Sequence, residues 1–281
     1  MDNNLISYTE VCECLNKKEF DINTTSKNLV NNPTILKDKV NEKYKFVKKG
    51  FFYKVFSFIF YCFAFIVLFP SVWLFYMPKV KGRKNLKKVK NAVFISNHAF
   101  VMDCAILSVY TLPFIRPYII TERDSFQIPV VKNIIRLLRA VPIPNNLKAY
   151  KNFMTSIDGE LNNRKSLLVY PEGSLWPYFA RIRPFKTGAF RFSVKNNVPV
   201  VPIVISFRKP NKLYRMFGRK KPFVNVNILE PIYVNSKCNM KDEEKRICDL
   251  TNSIMTEEFN KTNSYVYINE KRLKKEKSKR V

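Results

Sequence analysis

An α/β domain built on a mixed, mostly parallel sheet flanked by helices, preceded by an apolar membrane-inserted segment, is the fold class this sequence predicts. Three observations predict it. From Asn91 onward, short apolar runs alternate with helical patterns, as in domains whose strands are covered by helices on both faces. Ahead of them, Val55 to Met77 runs without a single charged residue. Across 281 residues the chain is 46% hydrophobic and 14% aromatic, enough to bury a real core and too much for wholesale disorder.

Taken in order, residues 1–54 form a polar and basic extension whose first part, 1–43, shows weak periodicity: a short helix or loosely ordered chain. The apolar segment, 55–78, would reach across a bilayer core of about 30 Å at roughly 1.5 Å per residue. Pro70 divides it and leaves a short stretch from Val55 to Phe69. Lysines crowd both flanks, Lys37 to Lys54 upstream and Lys79 to Lys90 downstream, whereas a spanning helix shows its excess on one side. We therefore expect the segment to dip into one leaflet and return, bent at Pro70, with both ends cytoplasmic. A true span and a buried core helix are the alternatives.

The domain proper is expected over 79–265. Predicted strands are 91–96, 117–121, 140–143, 166–171, 198–206 and 223–228. A helix should follow the first strand through about Leu112, and another should run from Pro129 to about Arg139. Leu147, Tyr150, Met154, Ile157 and Leu161 recur at steps of three and four, one face of an amphipathic helix. Helices are also expected from Thr187 to Asn196 and from Asp242 to Asn260, with a charged tail over 266–281.

Lys and Arg number 50 against 22 Asp and Glu, a formal charge of +28 that calls for an anionic partner. Nucleic acid would answer the charge but not the long apolar run, and the basic runs interleave aromatics poorly for base stacking. Anionic lipid answers both. The six cysteines lack the paired spacing of a zinc site, so we expect reduced thiols and no structural metal.

His98 is the one histidine, and it ends a predicted strand, where such sheets place their ligands. Histidine is the natural general base near neutral pH. Five residues on, Asp103 stands in an otherwise apolar run, where an unpartnered carboxylate would be costly. The imidazole is its simplest partner, fixing the tautomer as the acid of a serine-protease triad does. A histidine bonded to backbone and an aspartate capping a helix is the blander reading of this pair. A second cluster follows the 166–171 strand. Gly173 would let backbone approach a substrate closely, and Glu172 would accept from a hydroxyl or hold the loop. Arg181, Arg183 and Lys186 offer phosphate donors near a helix start at Thr187.

Together these blocks resemble the glycerolipid acyltransferase superfamily, which includes the 1-acylglycerol-3-phosphate acyltransferases. The family's NHxxxxD block stands as Asn97-His98-Ala99-Phe100-Val101-Met102-Asp103, and its PEGT-like block as Pro171-Glu172-Gly173-Ser174. Later elements stand as Phe185-Lys186-Thr187-Gly188-Ala189 and Val201-Pro202-Ile203, in order over about residues 80–235. The resemblance implies that His98 deprotonates an acceptor hydroxyl that attacks the thioester of acyl-CoA or acyl-carrier protein directly. Asp103 would orient His98, and backbone N–H groups near the strand ends would hold the oxyanion. Glu172, Gly173, Ser174, Arg183 and Lys186 would form the acceptor site, without metal or cofactor. The implied partners are membrane lipids, the acyl donor and a lysophospholipid acceptor, at the cytoplasmic face of a membrane. Two departures bear on the acceptor. The PEGT-like block continues as Leu175-Trp176-Pro177 instead of Arg-Ser, and Val141-Pro142-Ile143-Pro144-Asn145 lacks the arginine usual in the middle block. Glycerol-3-phosphate, another lysophospholipid, or a noncatalytic membrane protein of the same fold are the competing readings.

Overall fold

The structure, a computed structural model, describes residues 7–15, 40–122, 126, 129–270 and 273. Helix α1 (Tyr8–Cys14) opens it, followed by α2 (Phe51–Tyr76) and strand β1 (Lys79–Lys81). Then come β2 (Val93–Ser96), the short α3 (Asp103–Ala105) with a π-helical turn over Ile106–Thr111, and β3 (Tyr118–Thr121). The chain continues through α4 (Pro129–Leu137), β4 (Ala140–Pro142), α5 (Leu147–Asn162), β5 (Leu167–Val169) and α6 (Arg191–Asn196). It closes with β6 (Val200–Arg208), α7 (Lys212–Met216), β7 (Phe223–Ile228) and α8 (Met240–Thr262).

The seven strands form one sheet in the order β1-β7-β6-β2-β5-β3-β4. From β6 to β4 every pairing is parallel; β7 runs antiparallel to β6, and β1 parallel to β7. The sheet is therefore mixed and mostly parallel, as the alternation predicted. Parallel strands buried on both faces need apolar side chains on both. Along β2, Val93 and Ile95 enter the core under α5 and α8, while Phe94 joins Val72, Phe100 and Ile106 on the other face.

Six strands fall where the apolar runs placed them. β1 was read as part of the basic flank: three residues, two of them lysines, carry no strand signal. α1 confirms the helical option for part of the N-terminal extension. Ser7 and Glu10 make a reciprocal capping box, and Tyr8, Val11 and Cys14 pack against Trp176 and Phe179. Residues 16–39 and most of the predicted charged tail lie outside the described residues. The predicted start of that tail needs correction, because Tyr267 packs edge-on against Tyr178 and Asn269 N–H donates to the Tyr8 hydroxyl at 2.7 Å.

The expected bend at Pro70 is absent. α2 is one helix of 26 residues that continues through Pro70, which removes a single rung to the Ile66 carbonyl. It is about 39 Å long at 1.5 Å per residue. One face lies on the domain along its whole length. Tyr53 and Ser57 donate to the Arg136 and Leu137 carbonyls, and Tyr61 donates to those of Ser108 and Pro113. Val72 is fully buried, and Tyr76 packs on Phe100 at 5.0 Å. The opposite face is exposed and apolar, from Phe52 and Phe56 through Phe63 and Ile66 to Trp73 and Phe75. A helix tied to its domain this way also has the length and composition to cross a membrane.

Candidate active site

β2 and β5 are neighbouring parallel strands, so the segments that follow them emerge side by side at one end of the sheet. His98 comes two residues after β2, and Tyr170 directly after β5. The β2 extension is pinned from its other neighbour: the Asn97 side chain donates to the Ile205 carbonyl at 2.9 Å and accepts from the Ile205 N–H at 2.8 Å. That paired contact with β6 fixes the backbone carrying His98.

His98 and Asp103 meet. Nδ1 lies 2.7 Å from Oδ2 of Asp103, whose side chain is fully buried. The same oxygen accepts from the Ala99 N–H at 2.9 Å, so the carboxylate holds both the ring and the turn that carries it. Asp103 opens α3 without capping it, so the blander reading is not met: the N-cap is Met102, and the carboxylate turns back to serve the preceding turn and the imidazole together. Burial alone would push the imidazole pKa down. The Asp103 charge and hydrogen bond outweigh it, and His98 stands above its ordinary value. With Nδ1 committed, Nε2 is left to accept a proton. Tyr170 stacks on the imidazole at 4.4 Å between ring centres, and its hydroxyl donates to Cys104 Sγ at 3.3 Å. Burial first, then the Asp103 charge, hold that phenol protonated.

Glu172 and Arg183 are both buried, and they neutralise each other. Arg183 Nη2 lies 2.5 Å and Nε 3.0 Å from Glu172 Oε2, and the Arg183 N–H donates to Oε1 at 3.3 Å. Arg183 Nη1 donates to the Ser174 hydroxyl at 2.7 Å, Nη2 donates to the Ser174 carbonyl, and the guanidinium lies 4.7 Å from the Trp176 ring centre. With 1% of its surface exposed, Arg183 has no face to present to a ligand phosphate, contrary to the sequence expectation. Of the two roles foreseen for Glu172, these contacts supply the loop-holding one. Trp176, the departure from the usual block, is fully buried between Arg183 and α1. Lys186 stays exposed. Gly173 has φ +73°, and a Cβ there would stand 2.6 Å from the Lys186 ammonium, so the glycine makes room for it.

A cavity of about 410 Å³ opens beside this cluster, with His98, Cys104, Tyr170, Gly173 and Ser174 in its wall. The remaining wall is largely apolar, and Val101 and Ile143 reach its rim with 70% and 43% exposure. Among the described residues no Lys or Arg lines it. Sequence reasoning missed Tyr170, which reads as one more strand residue, and gave Asn97 and Trp176 no task. Arg139, directly before β4, lies at the opposite end of the parallel sheet from His98.

Residues 77–206 match the family model described as Acyltransferase. The chain is 29% identical to the chloroplastic 1-acyl-sn-glycerol-3-phosphate acyltransferase BAT2 of Brassica napus over 48% of its own length, but spans only 39% of that relative. It is 27% identical to the 1-acyl-sn-glycerol-3-phosphate acyltransferase of Haemophilus influenzae over 63% of this chain and 77% of that one. The fold is similar to the crystal structure of the 1-acyl-sn-glycerophosphate (LPA) acyltransferase PlsC from Thermotoga maritima. That likeness has a TM-score of 0.53 at 22% identity, and covers 76% of this chain and 83% of that one. The ordered motif blocks, and the sheet that brings them together, agree with these likenesses: over residues 77–206 the chain is similar to the Acyltransferase family.

Proposed function

We propose that this protein transfers a fatty acyl group from acyl-CoA or acyl-carrier protein to the hydroxyl of 1-acylglycerol-3-phosphate. What carries the reading is the 2.7 Å pair of His98 Nδ1 and buried Asp103 beside an apolar cavity. Nε2 of His98 accepts the acceptor's hydroxyl proton as the oxygen attacks the thioester carbon. Asp103 fixes the tautomer and stabilises the imidazolium that forms. The proton then passes to the departing thiolate. Glu172 and Arg183 hold the loop that carries Gly173 and Ser174 along the acceptor, and Lys186 beside Gly173 meets the acceptor's phosphate. The apolar outer face of α2 and the exposed rim of the cavity, Val101 and Ile143, keep the site at the cytoplasmic leaflet.

A second reading concerns the acceptor alone. Because no described Lys or Arg lines the cavity, another lysophospholipid or glycerol-3-phosphate competes with 1-acylglycerol-3-phosphate. Purified, detergent-solubilised protein should be assayed with both donors against that panel, with His98→Ala as control. His98-dependent product with 1-acylglycerol-3-phosphate preferred is the expected result. Preference for another acceptor moves the reading to that acceptor, and substantial transfer by folded His98→Ala removes His98 from its role.

A further inference from the structure

A second cavity is at the other end of the sheet from His98. About 470 Å³ in volume, it opens where β3 and β4 begin and just ahead of β5. Lys48, Lys49, Lys54, Arg136, Arg139 and Lys165 line it, against one carboxylate, buried Glu160. Among the described residues none of the six forms an ion pair within 4 Å.

Three of these cations are held in place by neutral partners. Lys48 lies 5.0 Å from the ring centre of Tyr53, Arg136 4.8 Å from that of Tyr44, and Arg139 5.2 Å from that of Tyr118. Arg136 donates to the Lys45 carbonyl and Arg139 to that of Arg116, both at 2.8 Å. Such contacts fix a guanidinium without neutralising it. Arg139 also stands at φ +67°, a left-handed conformation that costs a non-glycine residue, directly before β4. Six mutually repelling charges around one recess destabilise the empty fold, and the recess concentrates their field on whatever anion occupies it. Burial and the neighbouring charges of Arg136 and Lys45 already press the Lys48 pKa down.

The position of the cavity identifies the anion. It is adjacent to the N-terminus of α2, where Gly50 supplies no side-chain cap. Phe51, Phe52 and Phe56, on the turns that follow, are 73%, 86% and 58% exposed. A charged recess continuous with an apolar helix face suits an amphiphile: a phosphate among the cations, chains along the phenylalanines. We propose that this cavity is a second lipid site, binding the phosphomonoester headgroup of an anionic glycerolipid of the host leaflet. It is separate from the His98 pocket, so it stands or falls independently of the acyl-transfer reading.

The test uses the full chain in phosphatidylcholine nanodiscs, plain, or doped with phosphatidate, or doped with phosphatidylserine at matched total charge. Hydrogen exchange over residues 44–54 and 135–141 is the readout, with inorganic phosphate titrated in a further arm. Phosphatidate should slow exchange in both segments, at roughly tenfold lower dopant than phosphatidylserine requires, since phosphate contacts and not diffuse charge decide. The variant Lys48→Gln/Arg136→Gln/Arg139→Asn should lose that preference, asparagine being chosen because it tolerates positive φ. A control stripped of equal charge elsewhere, Lys209→Gln/Lys212→Gln/Arg215→Gln, should keep it. Equal protection by both lipids, or loss of preference in the control, overturns the site. Protection by inorganic phosphate equal to that by phosphatidate overturns the lipid assignment in favour of a soluble phosphate.

Discussion

Asp103 supports several groups at once: the His98 ring, the Ala99 and Phe100 N–H groups and, by its charge, the protonated Tyr170. Its replacement by asparagine therefore tests chemistry and electrostatics together. In Asp103→Asn the amide can no longer specify the tautomer, and kcat should fall by about 10³–10⁴. The residual activity carries a second signature. Asp103 raises the His98 pKa against burial, so wild-type kcat/KM should rise with pH through a midpoint above the ordinary imidazole value. Without the carboxylate, burial remains and the midpoint should move to lower pH; a pH–rate profile of both proteins reads it. Stability follows the same linkage. The imidazole binds its proton more tightly folded than unfolded, so the pair's contribution is complete below about pH 6.5 and fades as pH rises through the folded pKa. The buried pair beyond the PEG turn behaves differently. Arg183→Met leaves Glu172 buried without its cation and should cost roughly 3–5 kcal/mol in denaturant unfolding. Glu172→Gln/Arg183→Met removes both charges and should recover much of that loss.

At the scale of elements, the site exists because β2 and β5 are parallel neighbours, a pairing no local sequence pattern announces. The strands themselves were legible, since a run such as Val93 to Ser96 must be apolar on both faces to sit between two helical layers. The His98–Asp103 contact was legible too, because five residues of tight turn allow few other partners for a carboxylate in an apolar run. Arg183 was not. Its eleven-residue separation from Glu172 gives no sign that the two charges meet under Trp176 instead of facing a ligand. Nor was the continuity of α2: a proline within a helix costs about 3 kcal/mol in isolation, and packing of Val72 and Tyr76 on the domain offsets it. That packing also decides how the helix is tested. Deleting it would strip the core of Val72, so the informative change lies on its exposed face. Phe56→Glu/Phe63→Glu/Ile66→Glu should leave the thermal transition within a few degrees of wild type while abolishing co-sedimentation with neutral phosphatidylcholine vesicles. Retained binding to neutral vesicles would place the anchor elsewhere, with Leu213, Met216 and Phe217 around α7 as the next exposed apolar group.

For the whole molecule, the formal charge of +28 and the apolar face of α2 are two attractions with different ranges and different sensitivity to salt. The electrostatic one acts over a Debye length, about 10 Å at 0.1 M salt and about 3 Å at 1 M. It is worth on the order of 1 kcal/mol for each cation near an anionic surface. The apolar one needs contact, gains about 25 cal/mol for each Å² removed from water, and is not weakened by salt. Both act on the same side of the molecule, because Lys48 and Lys49 precede α2 and Lys54 is in its first turn, while Arg208 and Arg219 donate to carbonyls at its C-terminal end. Two such attractions acting together should give a salt response that depends on which one remains. Wild-type protein should stay on anionic vesicles at high salt, with only its association slowed as screening removes long-range steering. The Phe56→Glu/Phe63→Glu/Ile66→Glu protein retains most of the charge and little of the apolar contact. It should bind anionic vesicles at low salt and detach as salt rises toward 1 M. Stopped-flow association and flotation across a salt series separate these outcomes. Wild-type protein that detaches at high salt as readily as the variant would mean that charge alone holds it to the membrane and that α2 does not insert.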